Sequence, residues 1–144
     1  DAVVADFIAG AAEWLTPAND PDHWDVVEGQ GSLFHASYSG VTLGLIHGSR
    51  PHALVLCHDA ARREMRGTPG VPVPALEDCI AVNERMAQMF EPGAKVVGVS
   101  VNTSSMDDAQ ATAYLAEISE RLGLPAVDAV RTGVGPIVDA IEKL

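Results

Sequence analysis

Apolar residues recur at helical spacing through the opening of the chain. Val3, Val4, Phe7, Ile8, Ala11, Ala12 and Leu15 fall at i, i+3 and i+4 and predict an amphipathic helix over residues 2–15, with Asp1 as its cap. The segment Thr16-Pro17-Ala18-Asn19-Asp20-Pro21-Asp22-His23 stops it, because two prolines and several turn formers cannot continue a helical ladder. From there the pattern changes to short apolar runs of strand length at 24–28, 53–57, 95–101 and 125–129, separated by stretches long enough for helices. Helices are predicted over 37–47, 76–90, 107–122 and 135–144; Gly123 closes the third of these and Pro136 opens the fourth. The order α, β, α, β, α, β, α, β, α predicts an α/β fold: a largely parallel sheet with right-handed crossovers and helices on both faces. All four strands are expected in one sheet, so that the polar residues ending them converge on one edge, Glu28, His58 and Asn102 among them.

Residues 60–74, rich in Arg, Gly and Pro, are longer than an ordinary connection and read equally as a substrate loop or as a subunit contact.

At 144 residues the chain has one domain's worth of material. It opens without methionine and already in a helical pattern, so an upstream portion is expected. Nine Lys plus Arg against twenty Asp plus Glu give a formal charge of −11. That charge repels a phosphate backbone, so nucleic acid is not an expected partner. Cys57 and Cys79 have neither a CxxC partner nor zinc-ligand spacing and read as buried thiols in a reducing cytoplasm. No apolar run reaches the ~18 residues that span a bilayer, and no signal-peptide pattern opens the chain. A cytoplasmic protein without a membrane partner is the expectation.

The chemistry concentrates where apolar runs end. Trp24-Asp25-Val26-Val27-Glu28 is followed by Gly29-Gln30-Gly31-Ser32-Leu33-Phe34-His35, which places a carboxylate and then glycines at a strand tip. Glycines there let backbone approach a ligand, and Glu28 could hold Mg²⁺ beside a phosphate or accept a proton. A solvated turn would look the same. His35 reads as an acid, base or donor, or as a structural histidine beside Phe34 and Tyr38. His58-Asp59 could orient a substrate carboxylate or shuttle protons, or could form local hydrogen bonds. Asn102-Thr103 could read a purine base, or Asn102 could close an Asx turn. His23, His47 and His52 show no zinc-motif spacing, and GxxxxGK[ST] does not occur.

With Asp25-Val26-Val27-Glu28-Gly29-Gln30-Gly31-Ser32-Leu33-Phe34-His35, Leu54-Val55-Leu56-Cys57-His58-Asp59 and Val97-Gly98-Val99-Ser100-Val101-Asn102-Thr103-Ser104 in view, the chain resembles the D-glutamate N-acetyltransferase family, long catalogued as a domain of unknown function. The resemblance runs from Asp1 through Gly133-Val134-Gly135-Pro136. Such proteins are similar in their C-terminal half to P-loop enzymes of the dethiobiotin synthetase type, with a Rossmann-like domain before it. The resemblance implies that residues 1–144 are the C-terminal portion of a P-loop NTPase-like domain, without the upstream domain and the phosphate-binding loop, and that this portion alone is inactive. By the same likeness Glu28 falls where dethiobiotin synthetases place an acidic Mg²⁺ ligand, and Asn102 where they read adenine. Gln30 stands in place of their alanine and the polar Ser32 follows.

The activity implied is an acyltransferase of D-amino-acid catabolism that moves an acetyl group from acetyl-CoA, a co-substrate, to the amino group of D-glutamate. That chemistry needs a base, because an ammonium cannot attack a thioester; Glu28, His35 and His58 are the nominees. Gly29, Gln30, Gly31, Ser32, Asp59, Asn102 and Thr103 are the candidates for substrate or nucleotide contact. The alternatives are an ATP- and Mg²⁺-dependent ligase or kinase acting on a small carboxylate, and a non-catalytic nucleotide-binding module. Small molecules are the expected partners. Self-association into a homo-oligomer is expected as well, because a partial domain leaves apolar surface uncovered.

Overall fold

The computed structural model describes residues 4–29 and 31–144. The proposed Asp1 cap therefore lies outside the described residues. A short 3₁₀ turn, Ala5–Phe7, leads into α1 (Ile8–Leu15), and α2 (Ser39–Ser49), β1 (Ala53–Asp59), α3 (Leu76–Ala87), β2 (Lys95–Asn102), α4 (Asp108–Leu122), β3 (Ala126–Val127) and α5 (Gly135–Ile141) follow. Contacts group the chain into two compact units, Asp1–His52 with Val82–Ala94, and Ala53–Ala81 with Lys95–Leu144.

In the first unit α1 and α2 pack closely because α2 presents glycine to α1. A Cβ built on Gly48 would stand 2.2 Å from the Ala9 carbonyl oxygen and 2.6 Å from Ala12 Cβ. Thr16 ends α1, its amide and its hydroxyl both donating to the Ala12 carbonyl. Phe90 meets the His47 ring edge-on at 4.7 Å, and its carbonyl accepts from Arg50.

The second unit is a three-stranded parallel sheet in the order β1, β2, β3. Parallel neighbours need crossovers; α3 lies between β1 and β2 in the chain, and α4 between β2 and β3. Leu54 pairs with Val96 but Val55 pairs with Gly98, so Val97 is an extra residue in β2. Val97 joins Val127 and Ile137 in one apolar cluster, whereas Val99 and Val101 join Leu115 and Ile118 in another. Alternation alone would put Val97 and Val99 on one face; the extra residue shifts the phase, so that α5 covers one face of β2 and α4 the other. A Cβ on Gly98 would stand 2.7 Å from Ile137 Cγ1, and the absence of a side chain there lets α5 settle onto the sheet. A capping box opens α4: Asp107 accepts from the Gln110 amide while Gln110 accepts from the Asp107 amide. Gly123, with φ +66°, closes it.

Three expectations need correction. Residues 24–28 form no strand: they carry no regular structure, and Val26 is 94% exposed and Trp24 65%. An apolar run becomes a strand only when its amides and carbonyls find a ladder, and among the described residues no backbone pairs with this one. The last strand is two residues rather than five, because it meets β2 only at Val99 and Ser100. Cys57 is exposed, on a strand at the edge of the sheet, whereas Cys79 is buried; neither forms a disulfide. The 60–74 segment, expected as a substrate loop or a subunit contact, is tied to itself. Met65 donates to the Val71 carbonyl, Val73 donates to Arg63, and Glu64 bridges antiparallel to Pro72.

Candidate active site at the carboxyl edge of the sheet

The parallel arrangement carries the ends of β1 and β2 to the same edge. His58 registers with Val101 and Asp59 with Asn102, and the ladder continues one step as the Ala60 amide donates to the Asn102 carbonyl. His58, Asp59, Asn102 and Thr103 are thus brought together as the strand-end rule expects. Asp59 and Asn102 each turn a side-chain oxygen back on the chain: Asp59 accepts from the Ala61 amide at 3.0 Å and Asn102 from the Ser104 amide at 3.0 Å. These Asx turns fix the departing loops. Asp59 also pairs with Arg62 at 3.5 Å.

Thr103 is wholly buried, and its amide and hydroxyl both donate to Asp128 Oδ2. Asp128 follows β3 and is 5% exposed. Its other oxygen accepts from the Val130 and Arg131 amides. The Thr103 hydroxyl, with the backbone amides behind it, outweighs burial and holds the Asp128 carboxyl down at about 2. Arg131 extends the network, donating to the Met106 carbonyl at 2.6 Å and pairing with Asp108. This latch joins the ends of β2 and β3 and consumes the polar atoms of Thr103. Sequence reasoning missed Asp128, although a carboxylate directly after an apolar run was the signal it used for Glu28 and Asp59.

The His58 side chain, unlike those of Asp59 and Asn102, makes no hydrogen bond to backbone among the described residues. Its Nε2 lies 3.0 Å from the Tyr114 hydroxyl of α4, with the rings inclined by 28°. Burial pushes the imidazole below its ordinary value, Asp59 pulls the other way, and Arg121, Arg63 and Arg62 add to the lowering. The lowering favours the neutral imidazole. Tyr114 also lines an open depression of about 400 Å³ with Met106, Gln110, Ala113 and Glu117. Tyr114 had been read from the sequence only as part of a helix.

The other nominees lie in the first unit. Glu28 is exposed in the unpaired segment rather than at a strand end, which corrects its expected place on the sheet edge. Gly29 has open space where a side chain would be, Gln30 lies outside the described residues, and Gly31 takes φ +66° with Tyr38 where its Cβ would go. The Ser32 hydroxyl accepts from the Phe34 amide. His35 is 7% exposed; its Nδ1 accepts from the Ser37 amide at 3.1 Å and its ring lies 4.6 Å from that of Tyr38. A neutral His35 therefore carries its proton on Nε2, and its backbone carbonyl accepts from Tyr38 and Ser39 at the start of α2. Among the described residues no group of three or more His, Cys, Asp or Glu gathers as a metal cage, and no helix is long and apolar enough to cross a membrane.

Comparison with known proteins agrees with this architecture. The chain is 55% identical over its whole length to a D-glutamate N-acetyltransferase of Tritonibacter scottomollicae, spanning 43% of that protein. It is 48% identical over 138 residues, 96% of the chain, to a D-glutamate N-acetyltransferase of a Pseudoalteromonas species, spanning 42% of it. The crystal structure of a DUF1611 family protein from Anabaena variabilis superposes with a TM-score of 0.89 at 37% identity, covering all of this chain and 43% of that one. The chain thus spans under half the length of the curated relatives it matches. Residues 1–138 match the model of a domain of unknown function described as the DUF1611_C P-loop domain, and the chain belongs to the DUF1611 family.

Proposed function

We propose that the protein carrying this chain is a D-glutamate N-acetyltransferase that uses acetyl-CoA, with His58 as its acid–base group. The observation that carries the activity is the 48–55% identity to two proteins of that name over nearly all of the chain. The choice of His58 is supported by a half-buried imidazole at the carboxyl edge of a parallel sheet, held below its ordinary value by burial, with no backbone group bonded to its ring nitrogens among the described residues. His35 instead gives Nδ1 to the Ser37 amide, and Glu28 stands exposed. In the step proposed, the amine nitrogen bonds to the acetyl carbon, its proton passes to His58, the carbon–sulfur bond breaks, and the imidazolium returns the proton to the leaving thiolate.

The test is thiol release from acetyl-CoA by the full-length protein. Release should depend on D-glutamate and should fall about 10²-fold or more in His58→Ala, the size general acid–base groups contribute. A comparable loss in Glu28→Gln or His35→Ala, with His58→Ala near wild type, would move the role to that residue. A second reading, an ATP- and Mg²⁺-dependent ligase or kinase, is favoured by the family's description as a P-loop domain. Mg²⁺ in phosphate-using sites takes one or two carboxylates plus the phosphates, a mode that Glu28 fits as a single protein ligand. Turnover that requires ATP and a divalent ion, without thiol release, would establish that reading.

We also propose cytoplasmic location and self-association. Trp14, Leu15, Trp24 and Val26 are exposed apolar side chains within residues 1–144, and uncovered apolar surface supports association of this stretch. Sedimentation of residues 1–144 should give a species larger than one chain.

A further inference from the structure

We propose that Tyr114 is the positioning residue of His58: its phenol oxygen accepts the Nε2 proton and so leaves Nδ1 to exchange protons with the substrate amine. The inference rests on the acetyltransferase reading for its kinetic part and on geometry for the rest. Nε2 and the Tyr114 hydroxyl are 3.0 Å apart, between residues 56 positions distant in sequence, and no other hydrogen bond to the His58 ring is made among the described residues. A neutral imidazole carries one N–H, and the atom that bonds it decides which nitrogen keeps the lone pair. With Tyr114 accepting from Nε2, the lone pair sits on Nδ1. When Nδ1 takes the proton, the imidazolium keeps the same bond, now charge-assisted and stronger.

The groups acting on this ring are Asp59 beside it on β1, Arg62 and Arg63 in the following loop, and Arg121 with Tyr114 on α4. Tyr114 is also the member of the pair that lines the depression with Gln110 and Glu117, so an occupant of that space would lie against the phenol. His58 is thereby held from the side by the Tyr114 hydroxyl.

The experiment is Tyr114→Phe in the full-length protein, which keeps the ring and removes one oxygen. Expected are a fall in kcat of about tenfold, KM values for both substrates within about twofold, and an acidic limb of the rate profile moved to lower pH, because the imidazolium has lost its acceptor. The double variant with His58→Ala should be no slower than His58→Ala alone, since Tyr114 acts only through the histidine. Nitrogen-15 NMR of labelled histidine supplies a readout apart from activity: wild type should show His58 protonated at Nε2, and Tyr114→Phe a mixture of tautomers with a lower pKa. An unchanged tautomer and unchanged pKa in the variant, or a double variant slower than either single one, would overturn the proposal. Wild-type protein with no acetyl transfer but with the expected NMR behaviour would sink the activity assignment and leave the pairing standing.

Discussion

Residues 24–28 and β1 begin as the same text: a short apolar run closed by a charged residue, Trp24-Asp25-Val26-Val27-Glu28 in one case and Ala53-Leu54-Val55-Leu56-Cys57-His58-Asp59 in the other. Their fates differ. β1 is paired along its whole length to β2, which is almost completely buried, and the polar residues at its end are fixed by Asx turns and by Tyr114. The earlier run is unpaired among the described residues and exposes both Trp24 and Val26. Hydrophobicity alone therefore does not make a strand. A ladder partner does, because the backbone polar groups must bond to something other than water before burial of the side chains becomes favourable.

The strongest test of this contrast is Asp128→Ala. It removes the acceptor of four donors at the carboxyl end of the sheet, and urea unfolding at pH 7 should show a loss of about 3 kcal/mol, the scale of a broken buried network. Because the folded carboxyl is held at about 2, below its ordinary 3.8, the unfolded chain binds more protons in that interval. The stabilisation should be complete above roughly pH 4 to 5 and fade as the pH falls toward 2. Asp128→Asn should flatten that acid dependence. His58 has the same sign for a different reason: its lowered value means that stability rises with pH up to the ordinary histidine range and falls below it.

Next in size is Gly98→Ala, whose new methyl would stand 2.7 Å from Ile137 Cγ1 and 3.1 Å from the Pro125 carbonyl oxygen. Thermal melts should show a loss of about 2 kcal/mol, as overpacking typically costs. A neutral result would mean that α5 yields easily and that β2 is not gripped from both faces. The smallest effect belongs to the other side of the comparison. Val26→Ser should change stability by no more than about 0.5 kcal/mol, as exposed substitutions do. A loss several times larger in the full-length protein would show that this run is paired there, and the contrast with β1 would dissolve.

The elements that could be read from sequence were those whose information is local. α4 is bounded by Asp107 and Gly123, both recognisable end signals, and β1 and β2 are largely apolar runs between helical patterns. What escaped depends on partners far along the chain. Asp128 acquires its role from Thr103, 25 positions away, and Tyr114 from His58, 56 away. The exposure of Cys57, like that of Val55 two residues before it, follows from their face of β1 being left open among the described residues, which composition does not encode. The place of His58, Asp59 and Asn102 at the sheet edge was legible because strand ends announce themselves, whereas the burial of Thr103 required knowledge of what lay across from it.

The extra residue at Val97 sets the phase of everything after it. Up to that point β2 alternates on one beat, and beyond it on the opposite beat, so that Val99 and Val101 answer to α4 while Gly98 makes room for α5. Excising one residue there would leave the composition of the strand nearly intact and reverse its parity. Asn102 and Thr103 would trade places: the amide would turn inward toward a carboxylate that wants a hydroxyl, and the hydroxyl outward to solvent. A single backbone irregularity, placed five residues before the edge, thus decides which of two adjacent polar side chains the protein shows to the outside.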